Sequence, residues 1–130
     1  MHRFFLFIFA ISNLAIISST RAETWVLPPH DIDIFGQIRT THASREETLL
    51  DIARQYDIGQ IEILLANPTV DRWLPEDGAK VILPSRYIIP HADRKGLVLN
   101  LPEMRIYYFP EPKKGEKPMI TTHPVGIGRM

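Results

Sequence analysis

The 130-residue chain contains no cysteine. That absence removes disulfides, thiolate metal sites and a cysteine nucleophile together, and leaves packing and hydrogen bonds to hold the fold. Net charge is missing as well. Fifteen basic and fifteen acidic side chains balance to +0, so no electrostatic footprint for nucleic acid is expected. Nor is there a long apolar run: residues 4–17 are broken by Ser12 and Asn13, short of a comfortable membrane span. What remains is ordinary globular material, 45% hydrophobic and 23% charged, enough for one domain or two small ones.

The start of the chain reads as an address. Met1-His2-Arg3 is a short positive opening, the apolar stretch follows, and Thr20-Arg21-Ala22 places small residues where a signal peptidase reads. Residues 1–22 are therefore expected to be a signal peptide cleaved after Ala22, with an uncleaved anchor as the rival. Removing Arg3 and Arg21 leaves 13 basic and 15 acidic side chains, a charge of −2. The expected location is exported, and periplasmic in a cell with two membranes, with membrane contact only through the signal peptide. Residues 23–35 carry prolines and no sustained period, and read as an extended lead-in. His30, Asp31 and Asp33 lack a second histidine at ligand spacing, so they are read as polar surface and no metal is expected. Trp25 is expected to pack on a neighbouring edge, with a sugar platform as the alternative.

Residues 44–84 organise the rest. Ser44 and Glu47 have the spacing of a capping box, which predicts a helix carrying Leu49, Leu50, Ile52, Ala53 and Tyr56 on one face. Asp57 suits the left-handed residue that ends many helices. Gly59 and Glu62 open a second helix with a stripe of Ile61, Leu64 and Leu65, and Asn67-Pro68 stops it. Residues 37–43 and 80–84 read as flanking strands. The order is strand, helix, helix, strand. On ETLLDIARQYDI, IEILLANP and AKVILP, residues 36–84 resemble a LysM domain, the small peptidoglycan- and chitin-binding module. The family's Gly-Asp before Thr-Leu is here Glu46-Glu47.

The resemblance implies a glycan surface between the loop opening the first helix and the loop after the second, residues 45–49 and 67–74. The side chains it singles out are Thr48, Leu49, Asn67, Pro68 and Val70. For Leu49 a core position is the competing reading, and for Asn67-Pro68 a role in ending the helix. Trp73 is expected to pack against the second helix in preference to serving as a sugar platform.

Residues 85–95 form a connector too short for a free tether, so the units on either side are expected to touch. Beyond it the period becomes two: GLVLNL, MRIYYFP and residues 119–125 read as three strands of a β-meander, with a polar turn at residues 111–117. GLVLNLPEMRIYYFP followed by PVGIGR resembles the opening of an L,D-transpeptidase catalytic domain. Residues 96–130 are thus expected to be its N-terminal fragment. The fold class expected is α+β, a small LysM-like βααβ domain followed by an incomplete all-β meander.

Both modules in this order resemble the periplasmic transpeptidases that attach murein lipoprotein to peptidoglycan. That resemblance implies glycan strands as partner, with an outer-membrane lipoprotein as a further partner of full-length relatives, and no cofactor. Family members act through a cysteine in a Ser-x-Gly-Cys segment with a histidine base. No position here matches that motif, so no catalytic residue is carried over and His123 is not promoted to a base. The chain is expected to be truncated inside its catalytic domain and inactive alone. The alternative is a non-catalytic interaction protein using the meander as a partner surface.

Overall fold

The computed structural model describes residues 23–128; the signal-peptide expectation lies outside them. Among the described residues, strands dominate and two short helices interrupt them. Strands are β1 (Thr24–Val26), β2 (Ile34–Gly36), β3 (Arg39–His42), β4 (Lys80–Leu83), β5 (Arg86–Ile88), β6 (Gly96–Asn100), β7 (Arg105–Phe109) and β8 (Met119–Pro124). Helices α1 (Leu49–Gln55) and α2 (Gln60–Ala66) lie between β3 and β4. Among the described residues, no helix is long and apolar enough to cross a membrane.

Helix α1 begins later than the Ser44 box predicts. Ser44 does donate from its amide and hydroxyl to Glu47 Oε2, at 3.2 and 2.7 Å, but these bonds close a separate turn. Glu46 stands at φ 76, which no helix accommodates, so the chain restarts at a second box. There Thr48 is the N-cap: its hydroxyl oxygen accepts from Asp51 N at 3.1 Å, while its amide donates to Asp51 Oδ2 at 3.1 Å. Asp57, at φ 56, ends α1 in the expected left-handed conformation. Glu62 then accepts from the Gly59 amide at 2.7 Å, as its spacing predicts.

The two helices pack on β3 and β4 around a core of Leu49, Ile52, Ala53, Ile58, Ile63, Val81 and Leu83. The expected stripe of α2 is displaced. Ile63 is buried and Leu64 partly so, whereas Ile61 and Leu65 are exposed. Helix α2 spans seven residues and turns the Ile63–Asn67 pair, one turn apart, toward β4.

The meander β6-β7-β8 is antiparallel throughout, as the period-two pattern predicts. The lead-in and connector are not bare. β1 adds to β8, giving the sheet order β1-β8-β7-β6, and β2 pairs with β5 in a two-stranded ribbon. A second core forms where the ribbon's Phe35, Tyr87 and Ile89 meet Tyr107, Phe109 and Ile120 of the sheet. Trp25 packs against it, its ring 6.4 Å from that of Phe35 and edge-on.

Polar contacts join the helical unit to the sheet: Arg39 of β3 pairs with Glu23 beside β1, and a second group gathers around Arg105. Arg105 of β7, 1% exposed, donates to Glu62 Oε2 at 2.8 Å and to Thr122 Oγ1 at 3.1 Å, with its guanidinium 4.2 Å from the Tyr87 ring centre. Beside it His123 Nδ1 lies 2.5 Å from Asp57 Oδ2, a buried oxygen with no other partner.

Candidate functional site

The five residues singled out from the sequence fall on two neighbouring loops, but they do not all present side chains to solvent. The Thr48 hydroxyl is committed to the cap: besides accepting from Asp51 N, it donates to Asp51 Oδ2 at 2.6 Å. These bonds, hydroxyl first and amide second, hold the Asp51 carboxyl below its ordinary value of 3.8. Leu49 is fully buried in the core of the helical unit. Its amide donates to Arg72 O at 3.0 Å, the bond that ties the start of α1 to the loop after α2.

Asn67 is 4% exposed and works as an internal clamp. Its amide nitrogen donates to Ile63 O at 2.8 Å and Ile82 O at 2.9 Å, and its oxygen accepts from Ile82 N at 2.7 Å. It thereby closes the end of α2 and fastens β4 to it. Pro68 is exposed, and Val70 is half-buried against the core. Asn67, Pro68 and Val70 line one shallow groove of about 380 Å³, with Thr40 and Ile82 of the adjoining strands. Thr48 and Leu49 lie outside that groove; Leu49 is tied to Arg72, further along the loop that carries Pro68 and Val70.

The first loop turns through a left-handed residue at the position where the sequence departs from the LysM pattern. Glu46, where the LysM pattern has Gly, holds φ 76, a conformation that costs a side chain about 1–2 kcal/mol.

The remainder of the second loop is rigidly held. Asp71 Oδ1 accepts from the amides of Trp73 and Leu74, both at 2.8 Å. The Leu74 bond, then the Trp73 bond, draw the Asp71 carboxyl below its ordinary value. Trp73 does not pack against α2 as expected: it is 63% exposed, because the Asp71 turn carries its backbone outward. Exposure of a tryptophan on a polar loop leaves no signature in single-sequence periodicity.

A larger groove, about 920 Å³, separates α2 from β5 and the ends of β7 and β8. Its walls carry Ile61, Leu65, Ile88 and Val125, and Arg105 and Tyr107 lie at its floor. Burial, reinforced by a 2.6 Å bond from the hydroxyl to Glu103 Oε2, keeps the Tyr107 phenol well above its ordinary value. Among the described residues, no histidine hydrogen-bonds a serine or threonine hydroxyl, and no cluster of three histidine, aspartate or glutamate side chains could hold a metal.

No protein-family model matches the chain. Its curated relatives are nevertheless of one kind, L,D-transpeptidases of bacteria. The probable L,D-transpeptidase YcfS of Escherichia coli K12 is 34% identical over 128 residues, 98% of this chain and 38% of the relative. The probable L,D-transpeptidase ErfK/SrfK of the same strain is 36% identical over 110 residues, covering 83% and 34%. The probable L,D-transpeptidase YbiS is 33% identical over 127 residues, covering 96% and 40%. The chain spans between about a third and two-fifths of the length of these relatives.

Proposed function

We propose that this chain is the exported, peptidoglycan-binding N-terminal part of an L,D-transpeptidase-like cell-wall protein. The observation that carries the reading is the similarity to probable L,D-transpeptidases along 96–98% of the chain. The strand–helix–helix–strand unit with its two loops tied by the Leu49–Arg72 bond supports the LysM assignment of residues 36–84. The ligand is the glycan strand, the location is the periplasm, and the leader at residues 1–22 delivers it there. Stem-peptide acyl transfer, and attachment of an outer-membrane lipoprotein, are assigned by the family resemblance to longer members of the family and not to this chain.

The chemistry of binding follows from what the loops expose. An N-acetylglucosamine chain offers acetamido groups and apolar ring faces. The groove offers Pro68, the Val70 flank and Ile82 for the rings, and threonine hydroxyls at Thr40 and Thr69 for the polar groups. Leu49 and Asn67 shape this surface from inside; their side chains are already spent on the core and the clamp. No cation is required, so binding resists salt.

The test is co-sedimentation of the mature chain with purified sacculi at rising ionic strength. Retention that persists from low to moderate salt supports the reading. Retention that collapses with salt, or none at all, overturns it.

A second reading, a non-catalytic interaction protein, has its own observation. Val26, Leu97, Leu99 and Tyr108 are exposed on the four-stranded sheet, an apolar surface suited to a protein partner. Retention on sacculi separates the two, since only the first reading requires it.

A further inference from the structure

We propose that Trp73 is a stacking platform for a sugar ring, adding an aromatic contact to the glycan surface formed by the Pro68–Val70 groove. This rests on the glycan-binding reading above and extends it to a residue outside that groove. Three features of the loop lead here.

The first is exposure. Trp73 leaves 63% of its surface to solvent and Leu74 beside it 76%, while the neighbouring Pro75 is buried. An indole is the largest apolar side chain and the one best suited to cover the C–H face of a pyranose, with its N–H free at the edge for a hydroxyl.

The second is rigidity of what carries it. Asp71 Oδ1 fixes the amides of Trp73 and Leu74 at 2.8 Å each, and Arg72 O accepts from Leu49 N at 3.0 Å. Val70 N donates to Asn67 O at 3.2 Å at the start of the same loop. The backbone beneath the indole is therefore pinned on both sides. A pinned loop loses little freedom when a ligand settles on it, and a tryptophan side chain has only two torsions to fix.

The third is continuity. The residue before Trp73 is the one bonded to the first residue of α1, and the residue three before it is Val70 of the groove. Trp73 thus belongs to the second of the two loops that the glycan reading uses, next to the residue that ties that loop to the first. The Asp71 carboxylate is turned onto its own backbone, so it places no accepting charge where a neutral sugar would sit.

The other tryptophan, Trp25, packs edge-on to Phe35 in the second core, which makes the two indoles separable. The experiment uses the Trp25→Phe chain, in which all indole emission comes from Trp73, titrated with a soluble tetramer of N-acetylglucosamine. We expect a saturable change in emission intensity and wavelength. Trp73→Ala in the otherwise unaltered chain should weaken tetramer binding, measured calorimetrically, about tenfold. Trp73→Phe should recover part of it, and the melting temperature should stay within about 2 °C because the side chain is exposed. Unmoved emission, together with undiminished tetramer binding by Trp73→Ala, overturns the stacking role while the glycan reading stands. If the parent chain is retained by neither tetramer nor sacculi, the glycan reading itself fails and the stacking role falls with it.

Discussion

Arg105 on the sheet donates to Glu62 on α2 at 2.8 Å, and the same Glu62 oxygen accepts from the Gly59 amide at 2.7 Å. One carboxylate therefore caps a helix and anchors Arg105, a cation buried at the junction of the two cores. The helical unit and the sheet are joined through a point where neither can move without exposing charge.

Glu62→Gln tests that joint. The substitution leaves an amide oxygen for the Gly59 cap but leaves a nearly buried guanidinium without its counter-charge. The loss should be about 1.5–3 kcal/mol, toward the lower end because the Glu62 side chain is 30% exposed. Urea unfolding followed by far-UV circular dichroism measures it. A variant as stable as the parent would show that the pair contributes no coupling.

Much of this was readable from residues close together in the chain. The end of α1 and the start of α2 follow from Asp57, Gly59 and Glu62, which act within a turn, and the β6–β8 meander follows from period-two runs joined by short turns. β1 escaped notice because its partner is remote: Thr24 meets Thr121, 97 residues on, and nothing local marks a three-residue strand waiting for that edge. The same holds for β2 and β5. At the candidate site the loops were legible, but the orientation of Leu49, Asn67 and Trp73 was not. Which of these turns inward is settled by β4 and Asp71, through bonds such as Ile82 N to Asn67 Oδ1.

The clamp gives a second prediction. Asn67→Ala frees the Ile82 amide and removes a donor from two carbonyls, leaving part-buried groups unpaired. It should destabilise the chain by about 1–3 kcal/mol. Retention on sacculi, measured well below the variant's melting temperature, should fall only as far as the groove deforms. Loss of retention with unchanged stability would instead make Asn67 a direct ligand contact.

Glu46 yields a prediction of the opposite sign. At φ 76 its Cβ is strained, and glycine relieves about 1–2 kcal/mol of that while adding about 0.5–1 kcal/mol of unfolded-chain freedom. The Glu46 side chain makes no hydrogen bond to any described residue, so none is lost with it. Glu46→Gly should therefore be neutral or stabilising by up to about 1.5 kcal/mol, read as an upward shift in urea midpoint. A clear destabilisation would mean that the turn conformation is not the strained one described.

Tyr107 predicts an alkaline limb. Burial, then the Glu103 carboxylate, keep its phenol protonated above the ordinary value of 10.0, so the folded chain holds that proton more tightly than the unfolded one. For a raised value the contribution is complete below pH 10.0 and is lost as the pH climbs past it. Tyr87 is shifted the same way by burial, so the parent loses stability through both rings. Tyr107→Phe should cost about 1 kcal/mol at neutral pH through the lost Glu103 bond, yet decline less steeply than the parent above pH 10.0. Parallel slopes in urea midpoints across that range would refute the assignment.

The last prediction concerns reaction chemistry. Acyl transfer from a stem peptide needs a nucleophile within hydrogen-bond reach of a base. The sequence has no thiol. The best-placed hydroxyls are already spent as donors: Thr48 to Asp51, Ser85 to Gln37 O at 2.7 Å and Thr122 to Ile106 O at 3.0 Å. His123, the histidine nearest a carboxylate, faces Asp57 with the nitrogen that would orient it, yet no hydroxyl among the described residues bonds its ring. A histidine held by an acid but lacking a nucleophile is half of a catalytic arrangement. Incubated with tetrapeptide-bearing muropeptides, this chain should release no D-alanine above a blank without protein, by chromatography of the products. Release that disappears in His123→Asn would show that a hydroxyl does reach that ring, and that the chain carries out transfer without a thiol.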